Sequence, residues 1–100
     1  MYRHGDILLV PVPSVPQDAR REDRNGNLVV AQGEATGHSH RIEDERAERW
    51  LTSRREAFLV LPVAAEIRHE EHRTLTLPPG TYRVVRQREY RGGVSAVAGD

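Results

Sequence analysis

Pro78-Pro79-Gly80 followed by Thr81-Tyr82-Arg83-Val84-Val85-Arg86-Gln87-Arg88-Glu89-Tyr90 is the stretch whose reading decides the fold. A proline-glycine turn launches a run that is rich in aromatic and β-branched residues and has no helical spacing of its apolar positions. Tyr82, Val84 and Tyr90 share one parity, as in a strand with one face turned inward. The turn itself suggests a type II geometry, with Pro79 at its second position and Gly80 at its third.

Working outward, the same grammar recurs. Arg73 to Leu77 alternates. Val63, Ala65, Ile67 and His69 fall on one face of a segment whose other face carries Ala64, Glu66 and Arg68. Ala57 to Leu61 is apolar and ends at Pro62, and Asp6 to Val12 is a short apolar run closed by Pro11 and Pro13. Leu28 to Ala31 begins another strand, after a long loop from Pro13 to Asn25-Gly26. Gly33 and Gly37 then suggest a bulge or bend before Thr36, His38, His40 and Ile42, which fall at alternate positions. Glu43 to Leu51 admits two helical turns, or a polar excursion into a strand at Arg49 to Ser53; the second is favoured. Turn signals every eight to twelve residues predict a mainly β single domain, a small antiparallel β-barrel or sandwich over residues 1–91, with 92–100 as a small-residue tail.

Composition narrows the function classes. The 100 residues hold 15 arginines, no lysine, 15 acidic residues and no cysteine, for a formal net charge of zero. That balance disfavours a nucleic-acid partner. It also tolerates self-association, so a homo-oligomer is an open expectation. Zero cysteine removes disulfides, thiolate metal sites and cysteine nucleophiles. No apolar run approaches the roughly 20 residues of a membrane span, and the N-terminus lacks the shape of a signal peptide, so a cytoplasmic location is expected.

The remaining chemistry lies in histidine. His38 and His40 flank Ser39, and His69 and His72 bracket Glu70-Glu71. Residues two apart on a strand share a face, so His38 and His40 project together with Ile42, and His69 projects with Ile67. Buried neutral imidazoles need partners on both nitrogens, and a divalent transition metal (Zn, Fe, Mn or Ni) would supply one to several rings at once. The candidate ligand set is His38, His40, His69 and His72, with Glu43 as a possible carboxylate ligand. Glu70 and Glu71 are candidates for a general base or for holding the ligands in place. His4 stands outside both pairs and is expected to take no part.

Gly33-x4-His38-x-His40-x2-Glu43 resembles a compressed first cupin motif, and Pro79-Gly80 is similar to the Pro-x-Gly turn of the second. The resemblance covers about 50 residues and implies a barrel that holds a metal through His38, His40 and Glu43. In this sequence the second histidine pair precedes the Pro-Gly turn. The whole chain also resembles small uncharacterised proteins of actinobacteria and their phages, which implies no activity.

Arg83, Arg86, Arg88 and Arg91 are expected on a solvated strand face, paired with acidic residues of 41–56. Trp50 is expected as a core plug. Two functions from different classes follow. One is a small metal-binding β-barrel protein with a histidine cluster, a reading that admits a metalloenzyme whose small-molecule substrate the sequence does not name. The other is a non-catalytic oligomeric assembly module without metal.

Overall fold

A computed structural model describes residues 1–24, 26–32 and 38–87 of the chain. Ten strands run in the order β1 Tyr2–His4, β2 Ile7–Val12, β3 Arg20–Arg21, β4 Leu28–Gln32, β5 Ser39–Ile42, β6 Glu48–Leu51, β7 Ala57–Leu61, β8 Ala65–Ile67, β9 Leu75–Leu77 and β10 Gly80–Arg86. Among the described residues there is no α-helix, and every strand pairing is antiparallel. The strands form a six-stranded sheet in the order β1-β2-β10-β7-β6-β3 and two two-stranded sheets, β4-β5 and β8-β9.

Strand β10, the decisive stretch, lies inside the large sheet between β2 and β7. Its register pairs Tyr82 with Leu59 and Val84 with Leu9, so one face of three strands becomes continuous. Ile7, Leu9, Leu59, Leu61 and Tyr82 on that face pack against Leu28, Val30, Ile42, Ala65, Ile67 and Leu77 of the two smaller sheets. Each such large side chain contributes about 1.5–3 kcal/mol when fully removed from water. The mainly β single domain is thus as expected. No sheet closes on itself among the described strands, so the barrel is not formed by backbone ladders.

Side chains bridge the sheets where backbone does not. Arg49 Nε donates to the Val30 carbonyl at 3.1 Å, and Arg24 donates to the carbonyls of Asp44 and Ala47 at 2.8 and 2.9 Å. An isolated backbone bridge, Arg41 with Arg68, joins β5 to the end of β8.

Residues 43–51 form no helix, and Glu48–Leu51 is a strand that pairs with β7, in line with the favoured reading of that stretch. Other local expectations are corrected. Trp50 is half-buried opposite Phe58, with its Nε1 donating to Glu48, and does not belong to the core cluster. Gly80 has a positive φ, but at 156° it is nearly extended and opens β10 opposite Leu61, so it is not the third residue of a type II turn. Nearby, Tyr82 Oη donates to the Pro78 carbonyl at 2.6 Å and pins this corner. Gly33, Thr36, Gly37, Arg88, Tyr90, Arg91 and the tail 92–100 lie outside the described residues. No helix of the described residues is long and apolar enough to cross a membrane.

Candidate functional site

A two-residue turn begins the site. His4 and Ile7 are the last paired residues of the β1–β2 hairpin, leaving Gly5-Asp6 as the loop. Gly5 has φ 62°, and glycine at the first central position is the residue a type II′ turn requires. This turn aims His4 and Asp6 at one end of the core. Strand β5 brings in His40, buried beside Ile42 by strand alternation, with His38 just before the strand. The segment joining β8 to β9 carries His69 and His72.

All five histidines therefore meet. His4 and His40 are fully buried, while His38, His69 and His72 are half-buried around them. Ring centroids of His4, His40, His69 and His72 are separated by 5.0, 6.3, 5.9, 4.5, 6.0 and 4.5 Å in the six possible pairings. Four imidazoles on one tetrahedral ion, with metal–nitrogen distances of about 2.0–2.1 Å, place their centroids about 5.2 Å apart. His38 stands further out, 5.6 Å from His69.

The hydrogen bonds fix where the protons are. His4 Nε2 lies 2.8 Å from the Arg73 carbonyl, which can only accept, so that nitrogen carries its hydrogen. His40 Nε2 lies 2.9 Å from Asp6 Oδ1. Burial pushes the Asp6 carboxyl up, but the His40 bond and the paired Arg86 outweigh it, so it stays below the usual carboxylate range and accepts. His40 Nε2 therefore also carries a hydrogen. In neutral rings both Nδ1 atoms are then bare, and they face one another at 2.9 Å. A third proton between them would make one ring an imidazolium. Burial works against that at His40, and with the neighbouring His4 and His69 it outweighs Asp6 and pushes the pKa down to about 4.

The glutamates divide their roles. Glu70 accepts from the Ser39 backbone N–H at 3.1 Å and pairs with Arg41 at 3.1 Å. The Ser39 bond, helped by Arg41, holds its carboxyl at about 2. It is a tether between β5 and the 69–72 segment and no base near neutral pH. Glu71 Oε1 lies 2.8 Å from His38 Nδ1, yet off the hydrogen-bonding direction, so that buried nitrogen lacks a bond. The Glu71 backbone N–H donates to His69 Nδ1 at 3.0 Å.

Two expectations change here. Glu43, the supposed carboxylate ligand, is exposed on the parity opposite to His40 and Ile42; it lines a groove with Glu66 and Arg68, away from the imidazoles. His4, expected to stand apart, is at the centre. Asp6 and Arg86 also belong to the site, although Arg86 was read as part of a solvated face; Arg83 does follow that reading, pairing with Glu56 at 3.1 Å. The signal available for His4 and Asp6 was the Gly-Asp pair between two strand-like segments, a two-residue hairpin loop.

Only the Nδ1 atoms of His4 and His40 converge: among the described residues no three or more His, Asp or Glu groups are arranged as a coordination set. A family model described as a domain of unknown function (DUF8820) matches residues 3–87. No curated protein and no solved structure matches the chain.

Proposed function

For this chain, which belongs to the DUF8820 family of domains of unknown function, we propose a small metal-binding β protein whose site is anchored by His4 and His40. One observation carries the reading: two neutral imidazoles, each with its Nε2–H fixed on an acceptor, present bare Nδ1 atoms to each other at 2.9 Å. Lone pairs at that distance repel unless a cation lies between them. Two nitrogens bound to one ion at about 2.0–2.1 Å stand about 2.8–3.4 Å apart. An imidazole ligand whose second nitrogen donates to a carbonyl or carboxylate is the usual outer arrangement of protein metal sites.

We infer His72 as a further ligand: its ring centroid lies 5.9 Å from that of His4 and 6.0 Å from that of His40, and its Nε2 edge lies against Gly5, which leaves Nδ1 as the donor. The donor set is all nitrogen and neutral, which suits Zn, Fe or Ni better than Mn. The three sheets read as the walls of an incompletely closed barrel, with the ion joining the β1–β2 turn, β5 and the 69–72 segment.

A shared proton between His4 and His40 is the competing reading, favoured by the lack of a third converging donor. Thermal unfolding of metal-free protein with added Zn²⁺, Ni²⁺, Fe²⁺ or Mn²⁺ separates them. An ion that binds only the folded chain raises the melting temperature in proportion to the logarithm of its concentration. A shared proton leaves it unmoved by any of the four.

A further inference from the structure

We propose that the β6–β7 hairpin and the outer face of the large sheet beside it form a contact surface for single-stranded nucleic acid, with Trp50 as a stacking platform for a base and Arg20, Arg54 and Arg55 as phosphate contacts. The hairpin loop is Ser53-Arg54-Arg55. The Thr52 N–H donates to the Glu56 carbonyl and the Arg55 N–H to the Thr52 carbonyl, both at 2.9 Å, and the Glu56 N–H donates to the Thr52 hydroxyl at 3.0 Å. The last residue of a three-residue hairpin loop takes the left-handed conformation, and glycine suits it best. Here that residue is Arg55, with φ 66°; among the described residues it is the one non-glycine with a positive φ. A side chain kept where the backbone opposes it points to a use for that side chain.

Arg54 and Arg55 are exposed, as is Arg20, which lies opposite Leu51 at the root of the hairpin. Among the described residues none of the three makes a hydrogen bond or an ion pair. The carboxylates around them are engaged. Asp18 accepts from the Ser53 N–H and hydroxyl at 3.1 and 2.8 Å. Glu48 pairs with Arg21 at 3.2 Å, and Glu56 with Arg83 at 3.1 Å. Asp18, which feels Arg54 at longer range, offsets only one of the three cations. The formal net charge of zero conceals this local surplus, because arginines elsewhere are spent on internal partners such as Glu70 and Glu22.

Trp50 is a second, independent feature of this surface. Register sets it between Arg21 and Phe58, and strand alternation turns it to the face opposite Leu59 and the core. Its ring is half-buried, and its Nε1 donates to Glu48 at 3.0 Å, which fixes the indole in place. A held, partly exposed aromatic beside unpaired arginines on an antiparallel sheet suits a single strand, whose bases are free to stack while its phosphates meet the cations. A duplex, with its bases stacked on each other, gains nothing from Trp50. None of these residues belongs to the histidine cluster, so this surface stands or falls apart from the metal reading.

Trp50 is the sole tryptophan, so its fluorescence reports on the surface directly. The test titrates the full chain at low salt with an oligouridylate of about ten nucleotides, within the span of a single-strand site. Trp50 emission should be quenched, and affinity should fall with salt at a log–log slope of about −2, the release expected from three arginines on a single strand. Arg55→Gly should weaken binding several-fold while its denaturation midpoint stays level or rises, since glycine relieves the left-handed strain. Trp50→Leu, followed with a labelled oligonucleotide, should bind about tenfold more weakly, and Trp50→Phe should recover part of that loss. Unchanged Trp50 emission on addition of oligouridylate would overturn the proposal. Unchanged binding by Arg55→Gly would overturn it as well. Inorganic polyphosphate or anionic phospholipid vesicles that compete as well as the oligonucleotide would replace it with a general polyanion surface.

Discussion

The imidazole of His72 occupies the space that a side chain on Gly5 would fill: a Cβ built there falls 2.4 Å from His72 Nε2. Gly5 is therefore required twice, once for its left-handed φ of 62° and once for the ring that lies on it. Gly5→Ala should lower stability by more than about 1 kcal/mol, the scale of backbone strain at such positions. It should also weaken metal binding, because it displaces His72 without altering any donor atom. Denaturant unfolding together with metal titration of the variant checks both effects.

His4 Nε2–H donates to the Arg73 carbonyl, and His40 Nε2–H donates to Asp6. His4→Ala strands that carbonyl and opens a cavity in a fully buried position. A loss of about 1–3 kcal/mol follows from the unpartnered carbonyl alone. Equilibrium unfolding of metal-free protein measures this without interference from an ion. A neutral substitution would return His4 to the bystander role suggested by its distance in sequence from the histidine pairs.

The pH dependence has a defined sign. His40 is depressed from its ordinary 6.5 to about 4 in the fold, chiefly by burial. Between those values the unfolded chain binds the additional proton, so stability falls as pH drops from 6.5 towards 4. Above 6.5 this group contributes no slope. Asp6, also held low, adds loss in the same direction at more acid pH. Unfolding free energies of metal-free protein at several pH values from 7.5 to 4.5 should show this fall, and His40→Gln should flatten it.

Arg24 binds the backbone carbonyls of Asp44, Ala47, Gly26 and Ile42, with no carboxylate among its hydrogen-bond partners in the described residues. It ties the segment before β4 to the segment before β6. Arg24→Met keeps much of the aliphatic stem but removes those bonds, leaving the Asp44 carbonyl only the Ala47 N–H at 3.2 Å. A loss of about 1–3 kcal/mol is expected, with metal affinity unchanged because the clamp lies apart from the histidines. Comparing denaturation midpoint and metal titration for this variant checks that separation.

Much of the fold was legible because strand parity is a local property. The alternation of His38, His40 and Ile42 correctly placed His40 and Ile42 inside, and the run from Thr81 onward marked the central strand β10. Glu43 has the spacing of a ligand three residues after His40 but the opposite strand parity, and parity turns it outward. His4 was missed because its partner His40 is 36 residues away and its proton acceptor is the backbone of Arg73, which has no sequence signature. The angle of Gly80 was missed for a similar reason. Pairing with Leu61 extends the backbone there, whereas the local Pro-Gly pair favours a tight turn. The bridging of one sheet to another depends on side chains such as Arg49 reaching a carbonyl 19 residues distant, and composition carries no trace of that.

The central claim is that the bare Nδ1 atoms of His4 and His40 hold an ion, and the most direct measurement is the metal content of protein purified without a histidine tag or chelating resin. Elemental analysis should find one equivalent of a transition metal per wild-type chain and none in His40→Ala. Wild-type protein that carries no transition metal, and whose melting temperature ignores added Zn²⁺, Ni²⁺, Fe²⁺ and Mn²⁺, would contradict it.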